Sequence, residues 1–264
     1  MKNRLKLLIC TSLKINFEKV YEYYLLVFIM YMLANYFIGR SLATGDELSF
    51  YELYFWHMSN CQHLSIFHTI FFLIFIDRLI TDNNYSIFYL IKYRSRKEII
   101  ITKTLTIFLA SIFYVVLTVI VSLLECLRKD SLSGKWSDFS KSQLINLYNN
   151  YPELQMNKFF VPLFINLVLY FICIGCIYYT LSNIIKKKIL PLFISISLNI
   201  VGYIIYLCRM DNLAKFTMVG NVSLGYSDKV QNTNVNIFYW LGILVVLLII
   251  HIVTCNKLNM EIKD

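Results

Sequence analysis

The chain has 264 residues, of which 58% are hydrophobic, 16% aromatic and 16% charged, with a mean hydropathy of +0.60. Soluble domains carry charge on roughly a quarter of their residues, so this balance excludes an ordinary soluble enzyme and points to a bilayer protein. The formal net charge of +9 would suit nucleic acid in a soluble chain. Here Lys and Arg flank apolar runs, where they orient helices and meet anionic headgroups, so no nucleic-acid partner is expected.

The first 19 residues mix Lys2, Arg4, Lys6, Lys14 and Lys19 with Leu5, Leu7, Leu8, Ile9, Leu13, Ile15 and Phe17. That pattern predicts an amphipathic helix lying in the inner headgroup layer. Six long apolar runs follow, at about 20–38, 62–80, 104–124, 159–183, 189–208 and 237–255. Each approaches the roughly 20 residues that a helical span needs. No small-residue cleavage site follows the first run, which predicts a retained span rather than a signal peptide. The runs are continuous, without the alternation of barrel strands, so helices are expected throughout. The fold class predicted is therefore an all-α polytopic membrane protein, one transmembrane domain over 1–264.

Between these runs, the loop from Glu125 to Lys158 is polar apart from Trp136, Leu144, Ile145, Leu147 and Tyr148. Those residues predict a short amphipathic stretch that caps an exit path or rests on the membrane. The segment from Arg209 to Asn236 holds Gly220, Gly225 and several Asn and Ser, which predicts a loop or short re-entrant structure. Counting Arg78 at the inner end of run two, sixteen of the 25 Lys and Arg residues fall before the first run, between runs two and three, between runs four and five, and after the sixth. This bias predicts both termini in the cytoplasm.

The runs are poor in groups that could do chemistry. Ionisable side chains cost about 2.5 to 3.5 kcal/mol at the centre of a span and persist mainly where used. Asp77 and Arg78 stand at the inner end of run two, where water or each other would satisfy them. His57, Cys61, His63 and His68 form no HExxH pattern; His57 and Cys61 are expected at the outer surface, as satisfied interfacial residues. Cys173 and Cys176 have CxxC spacing inside an apolar run, where packing is the expected role. Asn166, Asn199 and His251 are polar groups in apolar runs that would face neighbouring helices or line a conduit, and Gly175 and Gly202 would permit close helix approach. No catalytic, cofactor or metal site is expected, and the chain is not expected to be an enzyme.

The densest basic gap runs from Tyr85 to Lys103, as YSIFYLIKYRSRKEIIITK. Asp82, Asn83 and Asn84 are good N-cap residues for a short helix carrying Tyr85, Phe88 and Tyr89. The residues alone fit two roles for it, docking on a partner protein or floating on lipid with Lys92, Arg94, Arg96 and Lys97 at phosphates.

The stretch LIKYRSRKEIIITK, placed after run two and entering run three, resembles the cytoplasmic loop of type 2 ABC exporter permeases. The likeness is to the small six-span permeases of bacteriocin export and lantibiotic immunity. In that family a short coupling helix precedes a pattern close to Arg-x-Gly-Ser-Arg with a Lys further on. Ser95, Arg96 and Lys103 fit it, whereas Lys92 stands for the usual Arg and Arg94 for the usual Gly. The resemblance implies two permease subunits, of the same or different chain, around a path for an amphipathic peptide or lipid-like substrate. It implies a coupling helix over about 84–92 that docks on a separate cytoplasmic ATPase. On this reading Tyr85, Phe88, Tyr89, Lys92, Arg94 and Arg96 are the coupling residues, and Ser95, Lys97 and Lys103 anchor the loop at the membrane. ATP and Mg belong to the partner, since no GxxxxGK[ST] occurs here. The setting implied is the bacterial cytoplasmic membrane. The other reading is a non-transporting immunity or sensor protein that binds a peptide at its outer face.

Overall fold

The computed structural model describes residues 27–36, 48–81, 96–127, 137–141, 156–185, 189–222 and 237–260, together with Cys10. Most of the described residues are helical, with no strand among them. Four helical stretches are long and apolar enough to cross a membrane: His63–Ile80, Ile100–Leu127, Phe160–Ile184 and Ile189–Leu207. They coincide with the second to fifth apolar runs. The first and sixth runs contribute shorter apolar stretches, Val27–Tyr36 and Phe238–Ile250. Apart from Cys10, the N-terminal amphipathic segment lies outside the described residues, as does the coupling segment over 84–92.

In chain order, α1 is Val27–Tyr36, and α2, Phe50–Ser59, lies between the first and second apolar runs, where the sequence predicts no span. At 10 residues, or ~15 Å, it is too short to cross a bilayer. It is apolar around its circumference, with Leu53, Tyr54, Phe55, Trp56 and Met58 all buried, and such a helix is stable only when enclosed on all sides. Ser49 caps it in a capping box with Glu52, whose Oε2 accepts from the Ser49 amide at 2.8 Å. Asn60 then restarts the helix, accepting from the amides of Gln62 and His63 at 3.0 and 3.2 Å.

A π-helical segment, His63–His68, opens the second run before α3, Thr69–Thr81. Helix α4, Arg96–Leu127, has 32 residues and is thus ~48 Å long, more than the ~30 Å hydrocarbon layer, so its charged first turn can reach beyond it. Helix α5, Met156–Ile184, is the hub of the bundle, packing on α2, α3, α4 and α6; α6 is Ile189–Leu207. Two short helices follow, α7 (Asp211–Ala214) and α8 (Met218–Val222). The α8 residues Val219, Gly220, Asn221 and Val222, in the stretch expected to form a loop or short re-entrant structure, are buried against α5 and α6. Helix α9, Ile237–Met260, lies against α5.

Two features set how closely the helices approach. A Cβ on Gly175 of α5 would stand 2.6 Å from Ile107 Cγ2 of α4, so only glycine permits this contact. Along α4, Thr106 and Ser111 return their hydroxyls to the carbonyls of Thr102 and Ile107, at 2.9 and 2.8 Å. Small polar side chains so satisfied can be buried between apolar helices at little cost.

Candidate functional site

The α3–α4 junction is where the basic gap of the sequence falls, because residues 82–95 join Thr81 to Arg96. The coupling residues Tyr85, Phe88, Tyr89, Lys92 and Arg94, with Ser95 of the anchor, lie outside the described residues. Arg96 and Lys97 form the first turn of α4, and Lys103 lies about two turns further along. The described site is the end of the bundle to which the gap is attached.

There α5 grips both flanking helices. Tyr178 donates its hydroxyl to Asp77 Oδ1 in the last turns of α3. The next residue, Tyr179, places its ring 5.7 Å from the ammonium of Lys103 on α4, within cation–π range. Consecutive residues of a helix point about 100° apart, so one tyrosine can face α3 while its neighbour faces α4. Lys103, read from the sequence as an anchor toward lipid, is therefore directed at least in part into the protein. Tyr178 and Tyr179 escaped the sequence reading, although two phenol tips in an apolar run were a usable signal. The cluster ties three helices together at this end of the bundle.

A polar seam crosses the middle of the bundle. Thr69, at the start of α3, donates its hydroxyl to the Leu64 carbonyl five residues back at 2.8 Å. A hydroxyl has one proton and two lone pairs; the lone pairs accept from Tyr170 of α5 at 2.6 Å and from Asn199 Nδ2 of α6 at 3.2 Å. His68 Nδ1 meets the Tyr114 hydroxyl of α4 at 2.9 Å. Phe72, Tyr114 and Phe171 pack around this point with centroids 4.7 to 5.2 Å apart. Of the three conduit candidates, Asn199 is thus buried in an interhelical bond. Asn166 is too, its Oδ1 accepting from the Trp240 indole of α9 at 3.0 Å. His251 lies on α9, with its side chain outside the described residues.

At the opposite end, the histidines depart from expectation. His57 and Cys61 are buried, not exposed at an outer surface. His57 is enclosed within α2, its ring centroid 4.9 Å from that of His68, and neither of its ring nitrogens has a hydrogen-bond partner among the described residues. Burial first, then the neighbouring His68 and His63, push its pKa well below the usual imidazole value. Among the described residues no group of three or more His, Cys, Asp or Glu is placed to hold a metal ion. Beside it the Trp56 indole donates to Ser140 Oγ at 2.9 Å. Glu52 Oε1 accepts from the Ser137 amide. The 137–141 turn is thus fastened onto α2. Trp136, Leu144, Ile145, Leu147 and Tyr148 lie outside the described residues. Cys173 and Cys176 are free thiols buried in α5.

No known protein family, curated protein or solved structure matches this chain.

Proposed function

We propose that this chain is the membrane subunit of an ATP-driven exporter, a type 2 permease acting with separate cytoplasmic ATPase subunits and a second permease subunit. The substrate class is an amphipathic peptide or lipid-like molecule, and the setting is the bacterial cytoplasmic membrane. In this reading all six apolar runs span, both termini are cytoplasmic, the N-terminal segment lies in the inner headgroup layer, and residues 84–92 form the coupling helix.

The observation that carries the reading is the attachment of the basic gap. A load applied at 82–95 enters α3 and α4 together, and both are tied to α5 within a few turns, through Asp77–Tyr178 and Lys103–Tyr179. Domain-scale switching needs such rigid transmission, because a flexible joint would dissipate the ATPase movement before it reached the spans. The sequence LIKYRSRKEIIITK, which resembles the permease loop, occupies this gap.

The test is copurification of the tagged full-length chain with its nucleotide-binding partner. A stable complex that is lost when Tyr85, Phe88 and Tyr89 are together changed to Ala is the expected result. A complex that survives the triple change would sink the coupling assignment. Substrate-stimulated ATP hydrolysis in lipid then separates an exporter from a non-transporting immunity or sensor protein.

A further inference from the structure

Helices α6 and α9 diverge around an apolar groove of about 650 Å³ whose floor and walls include Leu198, Gly202, Val219, Gly242 and Val246. We propose that this groove holds an acyl chain of an anionic phospholipid, with the headgroup phosphate at Lys215 and Arg209. The inference rests on the membrane setting and is independent of the exporter reading.

Gly242 is the first indication. A glycine within a helix costs about 1 kcal/mol relative to alanine, and it is usually retained where another chain element comes close. Gly202 and Gly175 meet that description, with Cβ positions 3.3 Å from Thr217 Cβ and 2.6 Å from Ile107 Cγ2. A Cβ on Gly242 would meet no heavy atom within 4 Å. No packing within the described residues requires glycine there; what its missing side chain does is keep the groove open.

The surroundings specify the occupant. Leu198 and Val201 on α6, and Val245 and Val246 on α9, are about half exposed, and α6 is of membrane-crossing length. The medium beside the groove is therefore hydrocarbon, and a tail lying in it loses no contact with water. At the mouth stand the two most exposed aromatics among the described residues, Phe216 and Phe238, as at a membrane interface. The Tyr239 hydroxyl donates to the Phe216 carbonyl at 3.1 Å, closing the mouth across from α9 to the α7–α8 connection. Lys215 immediately precedes Phe216 and is exposed. Arg209, also exposed, is turned out of α6 by a left-handed backbone, φ 52°. Lys215 and Arg209 thus bring two positive charges to the segment beside the mouth, which attract a phosphodiester. Residues 223–236, which lead from α8 to α9, contain only Leu224, Tyr226, Val230 and Val235 as apolar side chains, a poor filling for an apolar groove.

The test uses the full-length protein reconstituted in nanodiscs of phosphatidylglycerol or of phosphatidylcholine, then released into detergent for native mass spectrometry. One retained phosphatidylglycerol per chain is expected, preferred over phosphatidylcholine. Gly242→Leu should lower retention at least about tenfold, equivalent to about two buried methylenes, whereas Gly242→Ala should keep most of it. Lys215→Ala with Arg209→Ala should abolish the headgroup preference while a lipid is still held. Independently of any variant, a phosphatidylglycerol with a photoactivatable tail should label the wild-type chain at Leu198 or Val246. Unchanged retention in Gly242→Leu, or labelling that avoids both walls, overturns the proposal. So does efficient disulfide-linked dimer formation by Val246→Cys in the bilayer, which would show a second copy covering the groove.

Discussion

His57 shows how much a single buried polar side chain can report. An imidazole sealed in a core, with no hydrogen-bond partner among the described residues, stays neutral, because charging it there forfeits hydration. Its folded pKa lies well below the ordinary 6.5, so below about pH 6.5 the unfolded chain binds the proton that the folded chain refuses. By linkage, stability at this position is intact above that pH and is lost as the pH falls. The midpoint of thermal unfolding in detergent should therefore drop between about pH 7.5 and about pH 5.5, and drop less in His57→Leu. Equal drops in the two proteins would remove His57 from the account. Sequence pattern puts this residue at a surface because it falls between two apolar runs. Burial of a histidine depends on what encloses it, which local pattern does not reveal. Thr69 teaches the same lesson from the opposite case: at the start of α3 it bonds the π-helical segment, α5 and α6, although in sequence it is one more threonine.

Helices α4 and α5 are joined by a contact that sequence pattern announces only as a glycine in an apolar run. The Gly175 Cα and Ile107 side chain touch so closely that an added methyl must displace one helix or the other. Overpacking of this sort costs about 1 to 3 kcal/mol, so Gly175→Ala should lower stability by that order in denaturant or thermal unfolding. Ile107→Ala leaves a cavity and lowers it as well. The double variant should be less destabilised than the two losses added together, because alanine at 107 vacates the space that alanine at 175 needs. Strict additivity would mean that the two residues do not meet. Element existence was otherwise legible: four apolar runs reappear as helices within a few residues of their expected ends, since a run of about 20 apolar residues has no other stable form in lipid. Helix α2 and the π-helical segment were not legible. Ten enclosed residues carry no amphipathic period, and a π turn adds one residue to a helix without altering its composition.

Across the whole molecule, the described basic residues Arg78, Arg96, Lys97 and Lys103 share the bundle end that bears the 82–95 gap, while Arg209 and Lys215 stand at the other end with α7 and α8. With the gap in the cytoplasm, Cys208 faces outward and Cys10 inward, and both are exposed, whereas Cys61, Cys126, Cys173 and Cys176 are buried. A membrane-impermeant maleimide added to intact cells should label Cys208, with the signal lost in Cys208→Ser. Labelling of Cys10 should require permeabilised cells. The reverse order would invert the topology and remove the gap from the ATPase side. By itself the sequence determined that this is a helical membrane protein, where most of its spans fall and where its positive charge gathers, because hydrophobic length and flanking charge are local quantities that the bilayer reads directly. Only the tertiary structure decided that Tyr178 and Tyr179 tie α5 to both helices beside the gap, that Thr69 serves three helices, and that α2 is enclosed. The bonds of Tyr178 to Asp77 and of Thr69 to Tyr170 and Asn199 join residues 101, 101 and 130 positions apart, and pairing across such separations is fixed by how the helices pack.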